Sequence, residues 1–114
     1  MNDCIFCKII EGEIPSKKIY EDDDMLAFHD IGPQAPVHFL LIPKRHITSI
    51  METGDGDALL IGRLLVKAQE LAKEAGCGEK GARFVINCKE DGGQTVGHLH
   101  IHVLGGRPLA WPPG

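Results

Sequence analysis

Three of the chain's six histidines stand at alternate positions in the run His98-Leu99-His100-Ile101-His102-Val103-Leu104. A β-strand sends successive side chains to opposite faces, so this spacing predicts a face of imidazoles and a buried face of Leu99, Ile101 and Val103. An imidazole titrates near neutral pH and can be nucleophile, acid, base or metal ligand. Alternate residues on a strand are roughly 6.6 Å apart, which separates His98 from His102 by about 13 Å. A single zinc ion, with bonds of about 2 Å, cannot be held by all three without breaking the strand. The three must therefore divide their labour. His100 and one neighbour suit a phosphate above the middle of the strand, and an end histidine can turn to another partner.

Partners for that end histidine exist. Cys4 and Cys7 lie one helical turn apart, and His46 follows the Pro43 that ends a strand; with His98 they would complete a tetrahedral Cys₂His₂ zinc site. Two thiols in a helix packed on the sheet are the plain alternative, and a redox pair of thioredoxin type lacks the strand that should precede it. The segment Asp91-Gly92-Gly93-Gln94-Thr95 suits an anion site, because glycines let backbone N–H groups approach phosphate oxygens and Thr95 adds a hydroxyl. A Gly-Gly pair is also, more simply, a turn. His38, on another strand, could fix an imidazole tautomer or relay a proton, or be an ordinary packed residue. Phe28, Asp30 and Ile31 offer apolar walls and a carboxylate to a nucleoside, with Asp30 accepting from ribose hydroxyls; core roles suit Phe28 and Ile31 equally.

These residues need elements to hold them. The first ten residues read as a short amphipathic helix broken by Gly12 and Pro15. Lys18 to Glu21 and Met25 to His29 read as a hairpin around Asp22-Asp23-Asp24, and His38 to Ile42 as a strand stopped by Pro43. One long helix is expected from about Asp55 to Ala75, with Ile61, Leu64, Leu65, Ala68, Leu71, Ala72 and Ala75 on its apolar side and Gly76 as its cap. Ala82 to Cys88 alternates as a further strand ahead of the histidine strand. Strands joined by short turns around one long helix predict an α+β domain with a mainly antiparallel sheet.

Composition narrows the function. At 114 residues the chain is expected to form one domain over residues 1–114, and its 43% hydrophobic and 25% charged content is ordinary for a soluble globule. A net charge of -4, with no basic stripe beyond Pro43-Lys44-Arg45-His46, argues against gripping nucleic acid by its phosphates and leaves a small nucleotide open. The N-terminus lacks the pattern of a secretory signal, no apolar run is long enough to span a membrane, and four cysteines without an export signal are expected as reduced thiols in the cytosol. Cys77 and Cys88 read as lone buried or half-buried thiols.

The histidine run, Phe28-His29-Asp30-Ile31, Pro36-Val37-His38, Ile42-Pro43-Lys44-Arg45-His46, Asp91-Gly92-Gly93-Gln94 and the tail Trp111-Pro112-Pro113-Gly114 together resemble the histidine triad (HIT) family. The resemblance is to its nucleotide-binding (Hint) branch and runs from about Ile5 to Gly114. It implies a five-stranded HIT-like sheet with one long helix and a short N-terminal helix. It also implies a homodimer with a continuous ten-stranded sheet, and a purine nucleoside phosphoramidase that cleaves P–N bonds without an organic cofactor. By motif position His100 would be the nucleophile that forms a nucleotidyl-imidazole, with His102 on the phosphate and His38 supporting proton movement. His98 would position the strand or serve the metal. Asp30 would bind ribose, Phe28 and Ile31 the base, and Asn87, Gly93 and Thr95 the sugar and phosphate. Trp111 would reach the partner subunit's site. Cys4 and Cys7 match the metal-bearing, bacterial-type members, in which two cysteines, the histidine after Pro-Lys and the first histidine of the three bind structural zinc. Thr95 stands where the branch commonly has serine, and its extra methyl could narrow the leaving-group site. Other readings are a nucleotide-binding interaction or regulatory protein with incidental turnover, a metallohydrolase with catalytic zinc, and a dinucleoside polyphosphate hydrolase, the last disfavoured by the Trp-Pro-Pro-Gly ending.

Overall fold

A computed structural model of the chain describes residues 3–114. Among these, five strands form one antiparallel sheet: β1 (Lys18–Glu21), β2 (Met25–His29), β3 (Val37–Pro43), β4 (Ala82–Val85) and β5 (Ile101–Gly105), in the spatial order β1-β2-β3-β5-β4. The helices are α1 (Ile5–Ile10), α2 (Ala58–Ala72) and the single turn α3 (Lys89–Gly92). This is the expected α+β architecture, a five-stranded antiparallel sheet with one long helix and a short N-terminal helix. The N-terminal helix occupies part of its expected span; residues 1 and 2 lie outside the described residues.

Strand alternation sorts the core into two layers. Met25, Ala27, Phe39, Leu41, Ile101 and Val103 face α2, whose stripe of Leu64, Ala68, Leu71 and Ala72 covers them. Their neighbours Leu26, Phe28, Leu40 and Ile42 point the other way and pack against Phe6 and Ile9 of α1. The sheet is thus buried on both faces, and the imidazole face is not an open one: His98 and His100 are buried together with Leu99, Ile101 and Val103.

Several boundaries differ from the sequence reading, each for a reason visible in the hydrogen bonding or backbone. The histidine strand starts at Ile101, because Leu99 donates its N–H to the Ile47 carbonyl at 2.6 Å and draws residues 98–100 toward the segment after β3. With β5 starting there, β4 has no partner beyond the Val85–His102 pair and ends at Val85, short of Cys88. The long helix opens with a 3₁₀ turn at Asp55–Asp57, where the Asp57 carboxylate accepts the Gly54 N–H at 3.0 Å. It loosens into a π turn over Lys73–Cys77, in which Gly76 takes a left-handed φ of 94°. Leu65 and Ala75, expected on the buried side, are exposed, because the buried stripe of α2 is narrower than the apolar pattern. Cys77 is buried and Cys88 half-buried, as expected.

Candidate active site and metal-binding group

At one end of the histidine run, four side chains from three segments converge. Cys4 caps α1, its Sγ accepting the Cys7 N–H at 3.4 Å, and Cys7 follows one turn later. His98 Nδ1 lies 3.3 Å from Cys4 Sγ and 3.6 Å from Cys7 Sγ, and His46 Nδ1 lies 3.2 Å from Cys7 Sγ. All four donor atoms lie within 4.8 Å of one another. His98 Nε2–H donates to the Pro43 carbonyl at 2.8 Å, which leaves the Nδ1 lone pair facing the sulfurs. Burial, above all, also pushes the His98 imidazole below its ordinary pKa, toward the neutral form a ligand needs. Tetrahedral coordination with metal–sulfur bonds of about 2.3 Å and metal–nitrogen bonds of about 2.0 Å would set each sulfur about 3.5 Å from each nitrogen. The observed 3.2–3.6 Å fits that spacing, so the donor set suits a metal ion.

Two residues on, the chemistry changes. His100 Nδ1–H donates to the His98 carbonyl at 2.7 Å, leaving a lone pair on Nε2. Burial, ahead of all other influences, lowers the His100 pKa and favours the neutral ring. A hydrogen-bond chain fixes the next imidazole. The Gln34 backbone N–H donates to His38 Nδ1 at 3.0 Å, so the proton of that ring is on Nε2. His38 Nε2 lies 3.0 Å from His102 Nδ1 and donates to it, so His102 keeps its own proton on Nε2. Asp30 Oδ2 stands 3.4 Å from His38 Nε2, and its Oδ1 accepts the Gly32 N–H at 2.7 Å. His102 is held at a pKa of about 4, first by burial and then by His100 and His38. The pair therefore presents complementary groups: a lone pair on His100 and an N–H donor on His102, with ring centroids 5.0 Å apart.

Both rings line a largely apolar cavity of about 390 Å³, within the size range of small-molecule sites. Of the sequence-predicted nucleotide residues, Phe28, Asp30, Ile31 and Thr95 line it too. His38 stands behind, reaching it through His102. Asn87, Gly93 and Trp111 are not among the lining residues. The N–H groups of Gly92, Gly93 and Gln94 donate to the Cys88, Glu90 and Lys89 carbonyls, so they close α3 instead of forming the expected open anion cradle. Trp111 is exposed on a tail that Arg83 ties down through the Ala110 carbonyl at 2.7 Å.

The sequence reading missed the wall supplied by α1, namely Ile5, Phe6 and Ile9, with Ile14 and Val96 beside them. Its signal was present in part: Phe6 and Ile9, three residues apart, share one face of the helix.

Fold and site define an α+β protein in which the segment leading into β5 carries a file of imidazoles from a four-donor group into an apolar cavity. The profile of the HIT domain family matches residues 11–109. The chain is 54% identical over 112 residues to an uncharacterised HIT-like protein of Synechocystis sp., covering 98% of this chain and 97% of that one. The crystal structure of a HIT family hydrolase from Legionella pneumophila superposes with a TM-score of 0.97 at 50% identity, covering 98% of this chain and all of that one. That of a histidine triad nucleotide-binding protein from Candida albicans gives a TM-score of 0.80 at 34% identity, over 89% of this chain and 73% of that one. The chain belongs to the HIT family. No helix among the described residues is long and apolar enough to cross a membrane.

Proposed function

We propose that the protein is a purine nucleotide-binding hydrolase that cleaves the P–N bond of nucleoside 5'-phosphoramidates through a nucleotidyl-His100 intermediate. The observation that carries this reading is the pairing at the cavity, where hydrogen bonds leave His100 Nε2 a lone pair and His102 Nε2 a proton. The His100 Nε2 lone pair attacks phosphorus, the P–N bond breaks, and the departing amine takes a proton from solvent, which the water of the second step returns. Water then attacks the same phosphorus, releasing the nucleoside monophosphate and restoring the imidazole. His102 Nε2–H and the Thr95 hydroxyl donate to the phosphoryl oxygens as charge gathers there. Phe28 and Ile31 flank the base, and Asp30 accepts from the ribose hydroxyls. Asn87 and Gly93 would take part through a shift of the α3 segment.

Trp111 would act in a homodimer, on the partner subunit's site. The free edge of β4, with Phe84 41% exposed, suits such a sheet-extending contact. The metal of the four-donor group is read as zinc; bound there by Cys4, Cys7, His46 and His98 it supplies a structural cross-link and no open position for chemistry.

Neutral-pH mass spectrometry of protein mixed with adenosine 5'-phosphoramidate should find one AMP moiety on His100. Absence of any adduct, together with turnover that survives His100→Asn, would sink the nucleophile assignment. Metal analysis should find about one zinc per chain, lost in Cys4→Ser. One observation favours a second reading, metal-assisted hydrolysis: donor atoms of Asp30, His38 and His102 also lie within 4.8 Å of one another. That reading predicts turnover abolished by a chelator that leaves the Cys4–Cys7 group loaded, where the first predicts none lost.

A further inference from the structure

Phe6 sits between the two thiol positions of α1 and is buried, 6% exposed. Its ring makes three edge contacts that no other side chain combines. It lies 5.9 Å from the His98 ring at 70°, 5.1 Å from the His100 ring at 90°, and 5.6 Å from the Phe28 ring at 74°. One ring therefore touches a member of the four-donor group, the proposed nucleophile and the proposed base wall. It also lines the cavity itself.

The element that carries it is weak alone. Six residues are too few for a helix to hold its shape without tertiary support. That support comes from two sources: the burial of Phe6 and Ile9 against the sheet, and the gathering of Cys4 and Cys7 with His46 and His98. A metal ion joining those four donors would fix both ends of the turn on which Phe6 sits. The cavity wall made by Ile5, Phe6 and Ile9 would be fixed with it. A ligand that needs the wall ordered then binds more tightly when the metal has already ordered it, and linkage requires the converse.

We infer that Phe6 couples the four-donor metal group to the nucleotide cavity, so that metal and nucleotide each tighten the binding of the other. The inference rests on reading the cavity as a nucleotide site. Phe6 is a positioning residue in it, acting on His100 and Phe28 through ring contacts.

The test is zinc affinity by competition with a chromophoric chelator, with and without AMP, at chelator levels that leave the far-ultraviolet circular dichroism unchanged. AMP should tighten zinc by about tenfold in the wild-type chain, and zinc should tighten AMP by the same factor. In Phe6→Ala the factor should fall to about one. In Ile9→Ala, one turn further along, AMP should bind more weakly while the factor survives. A wild-type factor near one overturns the inference. So does an unchanged factor in Phe6→Ala, or equal loss in both variants, which would mark general loosening of α1. If Phe6→Ala does not fold, Phe6→Leu keeps apolar volume without the ring, and its factor must still drop. A metal-loaded chain that binds no AMP would defeat the nucleotide reading. In that event the Phe28 ring-proton resonances still decide the coupling: zinc should move them in wild type and not in Phe6→Leu.

Discussion

The two faces of the sheet are built on different terms. Under α2 lie Phe39, Leu41, Ile101 and Val103, closed off by Leu64, Ala68, Leu71 and Ala72 from a 15-residue helix, with no imidazole, carboxylate or amine among the buried residues of that cluster. Under α1 the cover is a six-residue helix, and the buried residues include three imidazoles, His38, His98 and His100. The first face is held by apolar burial, which needs no ligand and is indifferent to pH. The second buries polar rings, and each must find a hydrogen-bond partner to be tolerated there. Those partners set the tautomers, so the requirement that makes the second face costly also makes it chemically specific.

Substitutions on the two faces should part company. His100→Asn, which retains a donor for the His98 carbonyl, is expected to lower kcat/KM for an adenosine phosphoramidate by on the order of 10³-fold or more, with little change in denaturation midpoint. Leu64→Ala should do the reverse, costing about 2–5 kcal/mol in urea unfolding while turnover per folded molecule stays near wild type. If Leu64→Ala lowered turnover of the folded fraction as sharply, the faces would not be separable.

The smallest effect sharpens the contrast through pH. His102 is held near pH 4 in the fold and returns to about 6.5 when unfolded. Between these values the unfolded chain binds more protons, so this contribution to stability is fully present above pH 6.5 and is lost as pH falls toward 4. His102→Gln should reduce the slope of stability against pH in that window, and a Leu64→Ala chain should keep the wild-type slope. An unchanged slope in His102→Gln would move the titration to another group.

Much of this was legible in sequence because it is periodic or local. Alternation placed Leu99, Ile101 and Val103 inside, and the pairing of Cys4 and Cys7 with His46 and His98 followed from the need to occupy the end histidine. What stayed hidden depends on long-range hydrogen bonding. Nothing local says that Leu99 will pair with Ile47 and so shorten β5 and β4 together. The amides of Gly92 and Gly93 close a helical turn, which a Gly-Gly pair does not announce. Phe6 looked like one more apolar residue of a short helix; only the packing shows which rings it meets.

The proton arrangement of the His38–His102 pair begins at the amide of Gln34, and Arg107 pins that same residue by donating to its carbonyl at 2.8 Å. The polarity of the site is thus written in main chain, where side-chain replacement cannot read or erase it. An alanine at position 34 would lose only the side-chain bond to the Gly32 carbonyl and keep the amide that sets the tautomers. Nineteen residue types carry the necessary N–H, and proline alone lacks it. A site can in this way conceal one of its determinants from mutational surveys while tolerating almost any residue there.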